Sequence, residues 1–278
     1  LQDEQLARLQ ENGSYALRLL TLELSMAGYF GQALPEDIVA APSGGSECYQ
    51  HLLHHKGVLE HYDNLSPGGS SAQGNELPGG CTRPGDHQSG ADALLVRRVM
   101  DLPATQWGES GVSTRGEMLY LRMNARGSAL ERGGRGLGSD GSLWRYQPQV
   151  FFLRSYSRVR GDALPALCRI RLSPEAERTA PVECLVEGVE QMQIEFGIDS
   201  DGDRWADRYV STLAPGDGAR AVVARIQLLV RSPLPMPGHR DNNYYIVGNT
   251  RLDPPADGFF RRVLETSVLL RNSDVQRM

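Results

Sequence analysis

Leu6, Leu9, Gly13, Leu17, Leu20, Leu24 and Ala27 recur at spacings of three and four residues, which places them on one face of a helix. Gly28 and Gly31 follow as stop signals, and Asn12-Gly13 marks a point of irregularity or close packing. After this segment the periodicity turns to that of strands. ADALLVRRV, EMLYLRM, SLWRYQPQVFFLRSYSRV, LPALCRIRL, VECLVEGVEQMQIEFGI, DRYVST, RAVVARIQLLVRS, NYYIVG and FFRRVLETSVLLRN are rich in β-branched and aromatic residues. Arg225, Gln227, Leu229 and Arg231 alternate with Ile226, Leu228 and Val230, so that charged and apolar positions mostly take opposite faces of a sheet. One long helix followed only by strands argues an α+β fold in which an amphipathic N-terminal helix packs on an antiparallel β-rich head, within a single domain.

Between the helix and the first strand, residues 35–92 are dominated by Gly, Ser and Pro, notably SPGGSSAQGNELPGGCTRPGDHQSG. Such a composition buries little apolar surface and is expected to form a long surface loop. The domain reading is therefore a helix over 1–31, a variable loop region over 32–91 and a sheet-built head over 92–278. Cys48, Cys81, Cys168 and Cys184 form no CxxC pair, which argues against a zinc ribbon or a thioredoxin-like site. An even, widely spaced set suits disulfides in an oxidising compartment; three connectivities are open, against the alternative of four unrelated buried thiols. Cys48–Cys81 and Cys168–Cys184 are favoured, since each pairing is short and brackets a loop.

A hydrophobic content of 40% is enough to fill a core, and a net charge of −5 gives no reason to expect nucleic acid or an anionic membrane surface as the main partner. No apolar run reaches the roughly 20 residues a spanning helix needs. Leu1 already sits inside the helical pattern, so a helix begun earlier is expected to continue through it.

The strongest local motif is Asp199-Ser-Asp201-Gly-Asp203-Arg-Trp-Ala-Asp207. Carboxylates at alternate positions around a turn glycine can wrap oxygens about a hard cation, and the string resembles the calcium loops of thrombospondin type 3 repeats. The expected ligands to Ca2+ are Asp199, Asp201, Asp203 and Asp207 with the Trp205 backbone carbonyl. The opposing reading is an acidic turn, since Arg204 stands where the second glycine belongs and Val210 stands at the twelfth position. His51, His54, His55 and His61 read as a solvated surface stretch. Gly133, Gly134, Gly136 and Gly138 lack the helix that would follow a phosphate loop, and Arg160-Gly161-Asp162 reads as ordinary turn chemistry. Trp107, Trp144 and Trp205 are scattered, as packing residues usually are. No G-x-S-x-G or supported cysteine nucleophile occurs in its expected setting, and the chain reads as a non-enzyme.

Several blocks, in order, resemble the PilW family of type IV minor pilins. QENGSYALRLLTLELSMAGYFG (10–31) resembles the end of the family's helix, and SGADALLVRR (89–98) its first sheet strand after a variable loop. FFLRS, LPALCRIRL, LVEGVEQMQIEFGIDSDGDRWADRY, VARIQLLVRS and FFRRVLETSVLLRN resemble the strands that follow. The resemblance implies a pilin-like fold whose helix is truncated here, with a membrane-spanning half and a prepilin cleavage motif before Leu1. It implies a structural subunit that helps prime type IV pilus assembly and sits in a tip complex with other minor pilins and the major pilin, with a tip adhesin as a further partner. The expected location is the inner membrane of a Gram-negative bacterium, head in the periplasm, and then the extracellular pilus, with roles in adhesion and twitching motility. Leu6, Leu9, Leu17, Leu20 and Leu24 are the residues expected to carry helix packing. The related alternatives are a J-type minor pseudopilin of type II secretion and a calcium-dependent adhesin module.

Overall fold

A computed structural model gives the fold and describes residues 2–40, 44–55, 57–66, 76–83, 85–104, 118–133, 141–173, 178–214 and 217–272. Helix α1 spans Gln2–Ser25 and ends at Gly28, whose φ of +76° only glycine adopts readily. Its buried positions are Gln5, Leu9, Gly13, Ala16, Leu20, Glu23 and Leu24. The stripe is therefore rotated from the one expected: Leu6 is exposed and Leu17 only half-buried. Gly13 sets the rotation. A Cβ there would stand 2.2 Å from Leu264 Cδ1 and 3.1 Å from Val230 Cγ2, so the bare backbone lies directly on the sheet. Gln5 is tolerated inside because its side-chain oxygen accepts the Leu234 N–H at 3.0 Å.

The remaining elements run in chain order as β1 (Ile38–Val39), α2 (Glu47–Leu53), β2 (Leu59–Tyr62), β3 (Ala93–Val96), β4 (Leu119–Asn124), β5 (Gly127–Arg132), β6 (Ser142–Arg145), β7 (Gln149–Arg154), β8 (Ala166–Arg171), β9 (Glu183–Glu187), β10 (Val189–Ile198), β11 (Arg208–Val210), β12 (Ala221–Arg231), β13 (Tyr245–Val247), β14 (Thr250–Leu252) and β15 (Arg261–Leu269). They form a five-stranded sheet β2-β3-β7-β8-β9, a four-stranded sheet β11-β10-β12-β15, a smaller sheet β1-β5-β4-β6 and the hairpin β13-β14. Every pairing is antiparallel except β1 with β5. The molecule is thus a mixed α+β protein: one N-terminal helix on antiparallel sheets.

The main core lies where α1 meets the two larger sheets, with Leu9, Ala16, Leu20 and Leu24 against Phe151, Leu167, Ile226, Leu228 and Val230. Strand β7 is apolar on both faces: Phe151 and Leu153 enter this core, and Val150 and Phe152 enter a second one. That second core is covered by the segment expected to be a surface loop. Within it α2 starts at Ser46, whose side chain accepts the Tyr49 N–H at 3.3 Å, and buries Cys48, Tyr49, Leu52 and Leu53. Cys48 is bonded to Cys81, fastening the segment to itself, and Cys168 to Cys184 across directly opposed positions of β8 and β9. Closing chain segments of 33 and 16 residues, each disulfide stabilises by roughly 3 to 4 kcal/mol through the unfolded state.

Two buried charged contacts hold the layers together. Arg98 donates a forked pair of bonds to Glu23 at 2.8 and 2.9 Å, joining α1 to the chain just after β3. Asp92 accepts the N–H of Asn64 (2.9 Å) and of Ile194 (2.7 Å), and lies 3.0 Å from His61 Nε2, which links β10 to the edge of the five-stranded sheet. His61 and His55 are therefore interior residues, against the expectation of a solvated histidine stretch. The fourfold cluster is divided: His51 bonds Glu60 at 2.7 Å, and His54 and His55 stack on each other.

Candidate functional site

Two surfaces are candidates, and only the second is built on a motif that the sequence singles out. The first is the outward side of α1. Glu4, Arg8, Glu11, Tyr15, Arg18 and Leu22 are all exposed and follow spacings of four, three, four, three and four. A 3.5-residue repeat keeps one line of side chains facing a neighbouring helix, as in coiled coils. Glu4 and Arg8 form an ion pair at 2.9 Å within the stripe, and Tyr15 and Leu22 supply its apolar points at 53% and 57% exposure. Tyr15 and Leu22 stand two turns apart, among several large apolar side chains that the molecule exposes. Of the expected packing leucines, Leu9, Leu20 and Leu24 are sealed in the protein's own core, Leu17 lies against it, and Leu6 is exposed beside the buried stripe. The outward line of Tyr15 and Leu22 was missed because the aliphatic repeat draws attention to the inward face. Among the described residues no helix is long and apolar enough to cross a membrane.

The second surface is the loop from Asp199 to Asp207, which joins β10 to β11. Asp199 is fully buried and organises the turn: Oδ1 accepts the Gly202 N–H at 2.6 Å and Oδ2 the Arg204 N–H at 3.1 Å. Asp207 Oδ2 accepts the Ser200 N–H at 2.6 Å. Asp201, Asp199 and Asp207 each bring a carboxylate oxygen within 4.8 Å of the others, a spacing that oxygens around one hard cation would have. Asp203 stands outside this group, and its carboxylate accepts the Trp205 N–H at 2.8 Å instead. Trp205 itself is 77% exposed. Arg204 has φ +72°, the left-handed region, which explains why glycine is usual at that place in such loops. Three of the four expected carboxylates converge, and Asp203 does not join them.

The other sequence candidates have structural roles. Asp162 of the Arg-Gly-Asp string accepts the N–H groups of Ser157, Arg158, Val159 and Leu164, and Arg160 is bonded to Asp86. The carboxylate is thus spent on its own turn, and the guanidinium on a carboxylate 74 residues away in sequence. Trp144 is half-buried, edge-on to Tyr29, and donates to Ser142 Oγ. Trp107, Gly134, Gly136 and Gly138 lie outside the described residues. Among the described residues the aspartate loop is the one place where three or more metal-ligating side chains converge.

Residues 150–272 match the family model PilW, described as Type IV Pilus-assembly protein W. No curated protein matches the chain. Among solved structures, the type IV-like pilin TTHA1219 from Thermus thermophilus aligns with 95% of this chain and 97% of its own, at 14% identity and a TM-score of 0.38. The stretch that builds β7 to β15, with the aspartate loop inside it, is similar in sequence to the PilW type IV pilus-assembly proteins.

Proposed function

We propose that the protein is a minor pilin: a structural subunit that helps prime type IV pilus assembly and sits with other minor pilins and the major pilin in a tip complex, where an adhesin can join. The observation that carries the reading is the PilW match over 150–272 in a head packed on one side of a helix. The far side of that helix supports it, since a line of exposed side chains at coiled-coil spacing suits neighbouring helices. The helix continues, on this reading, into a membrane anchor before Leu1, so the subunit waits in the inner membrane with its head in the periplasm. Its disulfides suit that compartment. No chemical step is needed: the work is surface complementarity. The Asp199–Asp207 loop would hold calcium through Asp199, Asp201 and Asp207, and the ion would neutralise their mutual repulsion and stiffen the β10–β11 connection.

Deletion of the gene tests the reading. Pili at the surface should be lost and return when the full-length protein is supplied. A secretion defect with normal pili would instead assign the chain to a type II secretion pseudopilus, and normal levels of both would reject the assembly role.

A further inference from the structure

Strand β15 is an edge. Among the described residues it has a partner, β12, on one side only. At nine residues it is the longest edge among the described residues: the other sheet borders, β1, β2, β6, β9, β11, β13 and β14, run two, four, four, five, three, three and three residues. Proteins normally blunt long edges with proline, lysine or a bulge, because unpaired N–H and C=O groups recruit other chains. β15 contains no proline or lysine, its charged residues are Arg261, Arg262 and Glu265, and its register against β12 is unbroken from Arg261 to Leu269. The β10–β12 and β8–β9 ladders, in contrast, both contain register shifts.

The register also says which groups are open. Ser232 N–H bonds the Phe260 carbonyl at 2.8 Å, and Leu270 N–H bonds the Val222 carbonyl at 2.9 Å. Opposed residues of an antiparallel pair alternate between bonded and non-bonded. The even-numbered residues Arg262, Leu264, Thr266 and Val268 therefore bond β12, and Arg261, Val263, Glu265, Ser267 and Leu269 direct their N–H and C=O groups outward. The strand is held straight from behind: Leu264 and Val268 pack with α1, and the Arg261 guanidinium is fixed by Glu190, Asp241 and Asp257.

We propose that β15 receives the outer edge strand of a neighbouring pilin-type subunit, which extends the sheet in the antiparallel sense; this rests on the pilin reading above. The topology favours that occupant over a second β15. Each pairing along β11-β10-β12-β15 is antiparallel, so the two borders of the sheet run in opposite directions. A neighbour built with the same alternation of strand directions, displaced sideways without rotation, brings its opposite border antiparallel to β15 and keeps its helix parallel to α1. Pairing β15 with its own copy about a two-fold axis would turn the helices against each other. Subunits anchored in one membrane cannot adopt that arrangement.

The test places a photo-crosslinking amino acid at Glu265 of the full-length protein in its own cells and compares Ser267→Pro with Thr266→Pro. Proline at 267 removes an outward N–H and leaves the β12 ladder whole, as prolines on edge strands do; at 266 it removes a ladder bond. The soluble Ser267→Pro chain should melt with the wild type, whereas Thr266→Pro should melt lower or fail to fold. In cells, Glu265 should crosslink to an edge strand of another pilin-type subunit, and Ser267→Pro should abolish that adduct. Three results would overturn the proposal: no adduct, an adduct on a helix or loop, or an adduct that survives in folded Ser267→Pro. Equal melting losses in the two proline variants would overturn the register assignment and the proposal with it. If deletion abolishes pili while the Ser267→Pro adduct persists, the edge proposal fails alone. If deletion leaves pili and secretion intact, the pilin reading fails, and a crosslink to a non-pilin protein then removes this proposal too.

Discussion

Glu60 shows how much a single half-buried charge contributes here. Its carboxylate is 2.7 Å from His51 Nε2, accepts Arg97 Nη1 at 2.5 Å and accepts the Tyr62 hydroxyl at 2.9 Å. Burial alone would raise its pKa, but the His51 bond and the Arg97 charge outweigh that and hold it at about 2, from an ordinary 4.5. A depressed carboxylate stabilises the fold above its unfolded pKa, and that stability is lost as pH falls through the folded value. The window is therefore pH 4.5 down to about 2. In Glu60→Gln the melting temperature should start lower at neutral pH and fall less across that window than in the wild type. Parallel curves would show that Glu60 is not coupled to folding. None of this was legible in the histidine-rich string, because spacing does not reveal a partner 37 residues away such as Arg97. At the same scale, the expected helix stripe named Leu6 and Leu17 where the fold buries Gln5 and Ala16. Hydrophobicity favours leucine, but the close approach at Gly13 decides the rotation.

Elements were legible where pattern and composition agree. Helix α1 follows from its three-and-four spacing, and β3, β7, β8, β10, β12 and β15 from their β-branched and aromatic content. Strand β5, with the sequence GSALER, carries no such signal; it forms because the short turn after Asn124 folds it back onto β4. Helix α2 and β2 were hidden inside a segment whose average composition is set by its glycine-rich half, though Cys48, Leu52 and Leu53 mark the buried side of α2. The aspartate loop was legible as a motif, but only three of its four carboxylates converge, and Asp203 turns to the Trp205 N–H. Calorimetric titration of the soluble chain with calcium should show saturable binding and a raised melting temperature, both lost in Asp201→Ala/Asp207→Ala. Heat-silent titration at millimolar calcium would reduce the loop to an acidic turn.

At the scale of the molecule, one helix presents different residues on its two sides, the inner to its own head and, on the pilin proposal, the outer to neighbouring subunits. Its inner line is consumed by the head, with Gly13 allowing contact and the Arg98–Glu23 pair locking the end. Breaking such a buried pair by removing one partner costs about 3 to 5 kcal/mol, which is why inward substitutions report on folding and not on assembly. Leu17, packed against the head's own core, is for the same reason a poor probe of contacts between subunits. The outward line of Tyr15 and Leu22 is free of that ambiguity. The decisive measurement is therefore surface piliation in cells whose only copy of the full-length protein carries Tyr15→Asp/Leu22→Asp, beside the melting temperature of the same soluble variant. The account predicts an unchanged melting temperature with pili reduced to the level of the deletion strain. Wild-type piliation with that folded variant would contradict it.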